Sequence, residues 1–186
     1  MTLRGALDLM ASSQAGATAW LGTDAGGLSA LAPLAGLGVF AIQDLDGDGR
    51  LDLAALSDAG VVRARGRGER PYHWQVVRPR AQPVAGDQRI NSFGVGGEVE
   101  VRAGLLTQKQ VLTGTPAHFG LGARTEADVL RIVWPNGVVQ AEFDRAADQV
   151  VVAEQRLKGS CPWVFAYDGT GMQFITDFLW RSPLGL

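Results

Sequence analysis

The chain has 186 residues, 46% of them apolar, with 17 basic and 19 acidic side chains and a net charge of −2. That composition supports a packed core, and it excludes both a disordered polyelectrolyte and nucleic-acid binding driven by whole-chain charge. The length holds one domain or two small ones, and 25 glycines favour tight turns and short strands over long helices. The single cysteine, Cys161, excludes an intrachain disulfide and a cysteine-rich zinc site. No apolar run approaches the roughly 18 residues of a membrane span, so none is expected. The start, Met1 to Gly5, has no basic region followed by an apolar stretch, so it is not a secretory signal. An aromatic-rich segment runs almost to the last residues, Pro183 to Leu186, and the chain is expected to be a fragment of a longer protein.

In chain order, the first feature is an internal repeat. Gly5-Ala6-Leu7-Asp8-Leu9-Met10-Ala11 aligns with Gly49-Arg50-Leu51-Asp52-Leu53-Ala54-Ala55, 44 residues later. A period of that size fits the blades of a β-propeller. After each copy a glycine-bearing turn leads to a strand, over Ala17 to Leu21 and over Val61 to Arg65. Arg63, Arg65 and Arg67 alternate with Val62, Ala64 and Gly66, the pattern of a half-solvated strand, and they read as an exposed face. The segment 81–88 carries Pro, Gly and polar residues without periodicity and reads as a linker.

Beyond it, Glu98 to Ala103 alternates strictly, which points Val99 and Val101 into a core. Glu126-Ala127-Asp128 reads as a turn. Val129 to Trp134, then Pro135-Asn136-Gly137, then Val138 to Gln140 reads as strand, turn, strand, because Asn-Gly tolerates positive φ. A last strand is expected through Val150-Val151-Val152. Trp163, Phe165 and Tyr167 alternate before Asp168-Gly169-Thr170-Gly171, a turn, and Phe174, Phe178 and Trp180 follow. No stretch carries the apolar period of an amphipathic helix.

The chemistry concentrates in Asp44-Leu45-Asp46-Gly47-Asp48-Gly49-Arg50-Leu51-Asp52. Carboxylates fall at loop positions 1, 3, 5 and 9, with glycine at 6 for the sharp turn. The position-7 residue, Arg50, offers its backbone carbonyl. Four carboxylates this close repel unless a cation joins them, and the all-oxygen set favours a hard ion, Ca²⁺. Position 12 is Ala55 rather than a bidentate glutamate, so the expected affinity is modest, with Kd roughly 10⁻⁴–10⁻³ M. The flanks, Gly38 to Gln43 and Leu51 to Leu56, read as strands rather than helices. The competing view is a solvated aspartate turn. The equivalent position of the earlier copy, Arg4, is not a ligand, so that copy is not expected to bind.

Phe40 to Leu56 resembles the FG-GAP/VCBS repeat, a propeller blade with a DxDxDGxxD calcium loop as in integrin α-subunit heads. The resemblance implies Asp44, Asp46, Asp48, the carbonyl of Arg50, and Asp52 as ligands. Asn91-Ser92-Phe93-Gly94-Val95-Gly96-Gly97, His118-Phe119-Gly120-Leu121-Gly122 and Trp134-Pro135-Asn136-Gly137, in this order, resemble the ASPIC/UnbV domain. That domain follows FG-GAP repeats in secreted bacterial proteins and in the acidic cartilage protein family. Here the segment before His118, Gly114-Thr115-Pro116-Ala117, is shorter than the family pattern.

Other candidates read as structural. His118 reads as part of a glycine-rich turn and lacks a catalytic partner in sequence, and Cys161 has no electropositive neighbours. Gly94 to Gly97 precedes a strand rather than the helix that a dinucleotide loop requires. No pair of carboxylates is singled out for glycoside hydrolysis.

The expectation is an all-β chain: propeller blades over 1–80 with the first truncated, a linker over 81–88, and a small β-sandwich-like ASPIC/UnbV domain over 89–156. An aromatic-rich segment over 157–186 opens a further module. The expected role is a calcium-stabilised extracellular or cell-surface binding module, without catalysis, contacting carbohydrate or protein, with further blades in the parent chain. The alternatives are an accessory or catalytic region of a secreted hydrolase, and a structural linker domain.

Overall fold

The computed structural model describes residues 3, 5–23, 25–68, 71–82, 90–156 and 163–177, without the side chains of 163, 176 and 177. Among the described residues the chain forms sixteen strands and no helix, so the all-β expectation holds. No helix there is long and apolar enough to cross a membrane. Among the described residues no closed propeller is seen. The chain divides into two units, one of residues 1–74 and 120–124, the other of 75–119 and 125–186. The expected linker over 81–88 lies outside the described residues except for Ala81 and Gln82. Cys161, Phe178, Trp180 and residues 183–186 also lie outside them.

The first unit holds two antiparallel sheets. β1 (Leu9–Ser13), β2 (Gly16–Gly22), β3 (Leu28–Ala30) and β4 (Leu34–Ala35) form one, with β2 at its centre. β5 (Gly38–Gln43), β6 (Asp52–Ser57) and β7 (Gly60–Ala64) form the other. The residues aligned in the sequence do the same local work in both. Ser13 Oγ donates to the Gly16 carbonyl (3.3 Å) and accepts from Ala15 N–H (3.2 Å). Ser57 Oγ donates to the Gly60 carbonyl (3.1 Å) and accepts from Ala59 N–H (3.2 Å). Each serine thus closes its hairpin, and the turn ends in a glycine with positive φ, Gly16 or Gly60. Asp8 Oδ1 accepts Gly22 N–H (3.0 Å), as Asp52 Oδ1 accepts Gly66 N–H (2.8 Å).

In the second unit β9 (Glu98–Ala103), β10 (Leu106–Val111), β12 (Glu126–Val133) and β13 (Val139–Ala146) form an antiparallel sheet in the order β10-β9-β12-β13. Val99 faces Ile132 and Val101 faces Leu130 across β9 and β12, and all four are essentially fully buried. The alternation read from Glu98 to Ala103 therefore faces a core that also holds Leu112 and Trp134. The polar edge strand β10 is held by the Lys109–Glu98 ion pair. β8 (His73–Arg80), β11 (Ala117–Gly122) and β14 (Gln149–Glu154) make a further sheet in the order β11-β8-β14, of which His73, Trp74 and Gly120 to Gly122 fall in the first unit. In it β14 runs parallel to β8 from Gln149 beside Gln75 to Glu154 beside Arg80. β15 (Trp163–Tyr167) and β16 (Met172–Asp177) form the hairpin expected around Asp168 to Gly171.

Two local expectations are corrected. Glu126-Ala127-Asp128 is not a turn but the start of β12, because Ala127 is a buried core position flanked by polar ones. His118 lies not in a turn but in β11, where Phe119 and Leu121 alternate inward. Gly120 is there for closeness rather than flexibility, since a Cβ would sit 2.6 Å from the Leu3 backbone.

Candidate metal centre

β5 ends at Gln43 and β6 begins at Asp52, so residues 44–51 form the connection between two paired strands. Gly47 and Gly49 sit at φ 80° and 81°, a region that favours glycine. Gly49 is doubly required, because a Cβ would stand 1.8 Å from Trp74 Nε1. Asp44 organises the bend. Its Oδ1 accepts Gly47 N–H (2.7 Å) and its Oδ2 accepts Gly49 N–H (2.9 Å). Asp48 Oδ1 accepts Arg50 N–H (2.9 Å). These bonds fix the Asp44 and Asp48 carboxylates in the bend. One oxygen each of Asp44, Asp46 and Asp48 lies within 4.8 Å of the others.

Asp52 is placed differently. It is 1% exposed, and its oxygens accept from Leu45 N–H (3.0 Å), Gly66 N–H (2.8 Å) and Arg63 Nη2 (2.8 Å). Burial alone would raise its pKa, but the Gly66 and Leu45 amides and the Arg63 guanidinium outweigh it and hold the carboxyl below its usual value. Asp52 thus ties the loop to β7 and to the residues after it. Arg63 bridges it to Asp46, its Nη2 standing 2.5 Å from Asp46 Oδ2, while Arg65 Nε lies 3.7 Å from the same oxygen. Desolvation would lower the Arg63 pKa, but Asp46 and Asp52 together raise it, so the guanidinium is firmly charged.

Of the five residues expected from sequence, Asp44, Asp46 and Asp48 are brought together, Arg50 lies in the same bend, and Asp52 lies beneath it as a structural clamp. Arg63 lies on the exposed face expected for it, but sequence reasoning missed its ion pairs to Asp46 and Asp52. The available signal was β7 alternation, which sets Arg63 and Arg65 on one side of the strand next to the acidic loop. It also missed Gly66, although the alignment pairs Asp8 with Asp52 and Gly22 with Gly66.

The donor set suits a hard divalent ion: three convergent carboxylates with no sulfur or imidazole among them. Each oxygen already holding one hydrogen bond keeps a further lone pair for a metal. Arg63 is the built-in competitor, a cation already seated on Asp46.

The three glycine-rich motifs of the second region serve packing and loop closure. Asn91 Oδ1 accepts Val95 N–H (2.7 Å) and its Nδ2 donates to the Val95 carbonyl (2.9 Å), which closes the 91–95 loop. Gly94 leaves room for Trp134, whose Cζ3 would stand 3.1 Å from an added Cβ, and Trp134 is 1% exposed. In the Trp134-Pro135-Asn136-Gly137 turn, Gly137 N–H donates to the Trp134 carbonyl (2.8 Å) and Gly137 has φ 85°. The turn expected there is thus present.

No curated protein matches the chain. The family model described as "ASPIC and UnbV" matches residues 87–159, the stretch that carries these motifs, and bears out the ASPIC/UnbV resemblance for that part of the chain.

Proposed function

We propose that the chain is a calcium-stabilised, non-catalytic binding module of an extracellular or cell-surface protein, contacting carbohydrate or protein. Its first unit is read as FG-GAP/VCBS-type blades. The observation that carries the metal half is the gathering of Asp44, Asp46 and Asp48 oxygens within 4.8 Å. The blade half is supported by equivalent serine and aspartate hydrogen bonds in the two sheets, 44 residues apart. Asp44, Asp46, Asp48 and the Arg50 carbonyl would hold the ion, with Asp52 fixing the bend from below. A bound dication would neutralise carboxylates that Arg63 and Arg65 only partly compensate.

The amide bonds to Asp44, Asp48 and Asp52 close the bend without an ion, so Ca²⁺ adds stability to a loop that is already formed. Calorimetric titration and thermal melting with Ca²⁺ test this. At 10 mM Ca²⁺ and a Kd near 10⁻³ M the stabilisation is about 1.4 kcal/mol by mass action. No heat and no shift at that concentration would remove calcium from the account.

A further inference from the structure

β14 is an edge strand among the described residues, with β8 on one side only. Beside it lies a groove of about 460 Å³, lined by Val150, Val151 and Val152 and by Glu142, Arg145 and Arg156. Beyond the two ends of β14, glutamine side chains are bonded to backbone. Before it, Gln75 and Gln149 donate to the Ala146 carbonyl (3.1 and 2.8 Å). At its end, Gln140 Nε2 donates to the Glu154 carbonyl (2.8 Å) and its Oε1 accepts Arg156 N–H (3.2 Å). Along the strand, Val150 and Val152 are 45% and 54% exposed.

The lining sets Arg145 and Arg156 against Glu142 and Glu154, and what is unequal is hydrogen-bonding capacity rather than net charge. Arg145 and Arg156 converge on the same oxygen of Glu142, which is 4% exposed; the Arg145 bond is 2.7 Å. Each guanidinium carries five N–H donors, so one carboxylate cannot satisfy both. The buried Arg145 Nε has no hydrogen-bond partner. The groove's other acid, Glu154, is exposed. A second hollow of about 490 Å³ adjoins Glu142, Arg145 and Arg156 together with Asp144, and is walled by Phe165 and Phe174.

We infer that this groove is a docking site for an extended segment of another protein that pairs with β14 and brings an acidic side chain to Arg145 and Arg156. The strand edge offers main-chain donors and acceptors at strand spacing, a feature that recognises peptide backbone rather than a sugar. The stretch from Val150 to Ala153 is the length of about four residues at roughly 3.3 Å each. Alternate side chains of the incoming strand face the arginines, which makes an acidic residue at every second position the best fit. This deepens the binding half of the proposed function and does not depend on the aspartate loop.

The test is fluorescence anisotropy with a labelled Val-Glu-Val-Glu-Val-Glu peptide, in EDTA, so that the groove is read apart from Ca²⁺. Saturable binding is expected, with amide shifts at Val150 to Val152 in NMR. Replacing Glu by Lys in the peptide, or methylating its backbone nitrogens, should each weaken binding by about tenfold or more. Arg145→Gln, which leaves Arg156 on Glu142, should reproduce the loss. If that variant misfolds, the N-methyl comparison on the unaltered protein decides. Equal binding of the methylated peptide, or binding of an oligoglucuronate but not the peptide, overturns the inference and leaves the calcium proposal standing. Pairing of two copies through β14, seen as a dimer in sedimentation that peptide does not dissociate, overturns it as well.

Discussion

The aspartate bend of the first unit and the arginine cluster of the second are opposite solutions to crowded charge. In the bend, carboxylates outnumber nearby guanidiniums, and most of their partners are backbone amides. An amide stabilises an anion without neutralising it, so the bend stays receptive to a cation. In the cluster, two guanidiniums share one buried carboxylate and the surplus is positive hydrogen-bonding capacity. The same elementary ion pair thus leaves an excess of carboxylate oxygens in one place and of guanidinium donors in the other. What differs is which partner is in excess and how far it is buried.

The comparison is most sharply broken by removing the buried partner. Glu142→Leu leaves Arg145 and Arg156 facing each other, and should cost about 3 kcal/mol, the low end for a broken buried pair because both arginines reach solvent. Urea denaturation measures it, and a loss below about 1 kcal/mol would mean that the cluster is not structurally coupled. Asp52→Ala comes next. It orphans the Leu45 and Gly66 amides and leaves Arg63 on Asp46 alone, for about 2–3 kcal/mol. Its counterpart Asp8→Ala removes the bond from Gly22 N–H and should cost about 1 kcal/mol. Equal costs for the two aspartates would show that Arg63 adds nothing to the clamp.

Smaller still is the effect at the rim. Asp46→Ala should change stability in EDTA by less than about 0.5 kcal/mol while abolishing the gain with Ca²⁺, because Asp46 is bonded to exposed arginines rather than to the loop backbone. Arg63→Gln should act in the other direction. It weakens the protein without metal, yet tightens Ca²⁺ binding a few-fold by removing the resident cation. A Ca²⁺ affinity unchanged by Arg63→Gln, read by calorimetry, would show that the guanidinium and the ion do not compete.

What the sequence made legible was what periodicity and local turn chemistry encode. Val99 and Val101, the Asn136-Gly137 turn, the Asp168 to Gly171 turn and the spacing of Asp44, Asp46 and Asp48 all depend on residues close in the chain. The rest depends on distant partners. The parallel pairing of β8 with β14 joins Gln75 to Gln149 and leaves no local trace. Ala127 is small enough to hide the period of β12, and Gly120 imitates a turn residue because Leu3 crowds it. Arg63 looked like solvated charge because alternation reports the side of a strand, not what waits there. The Gln140–Glu142–Arg156 network was invisible for the same reason: its members lie up to 16 residues apart, and each alone is an ordinary polar residue.

The smallest expected effect tests whether the amide-over-anion principle of the bend also works at a fully solvated turn. Asp168 Oδ1 accepts Thr170 N–H (2.8 Å), Thr170 Oγ1 (2.8 Å) and Gly171 N–H (3.0 Å). The Thr170 amide and hydroxyl, then the Gly171 amide, lower its pKa below the ordinary 3.8. A depressed carboxylate favours the folded turn above the unfolded pKa, and that contribution disappears as pH falls through the folded value. The β15–β16 hairpin should therefore be fully tied above about pH 4 and loosen only below it. NMR titration of the Thr170 and Gly171 amides should give a midpoint under 3.8, and Asp168→Asn should flatten that response while keeping the acceptor oxygen. A midpoint at or above the ordinary aspartate value would mean that solvent, not the two amides, sets the charge of this turn.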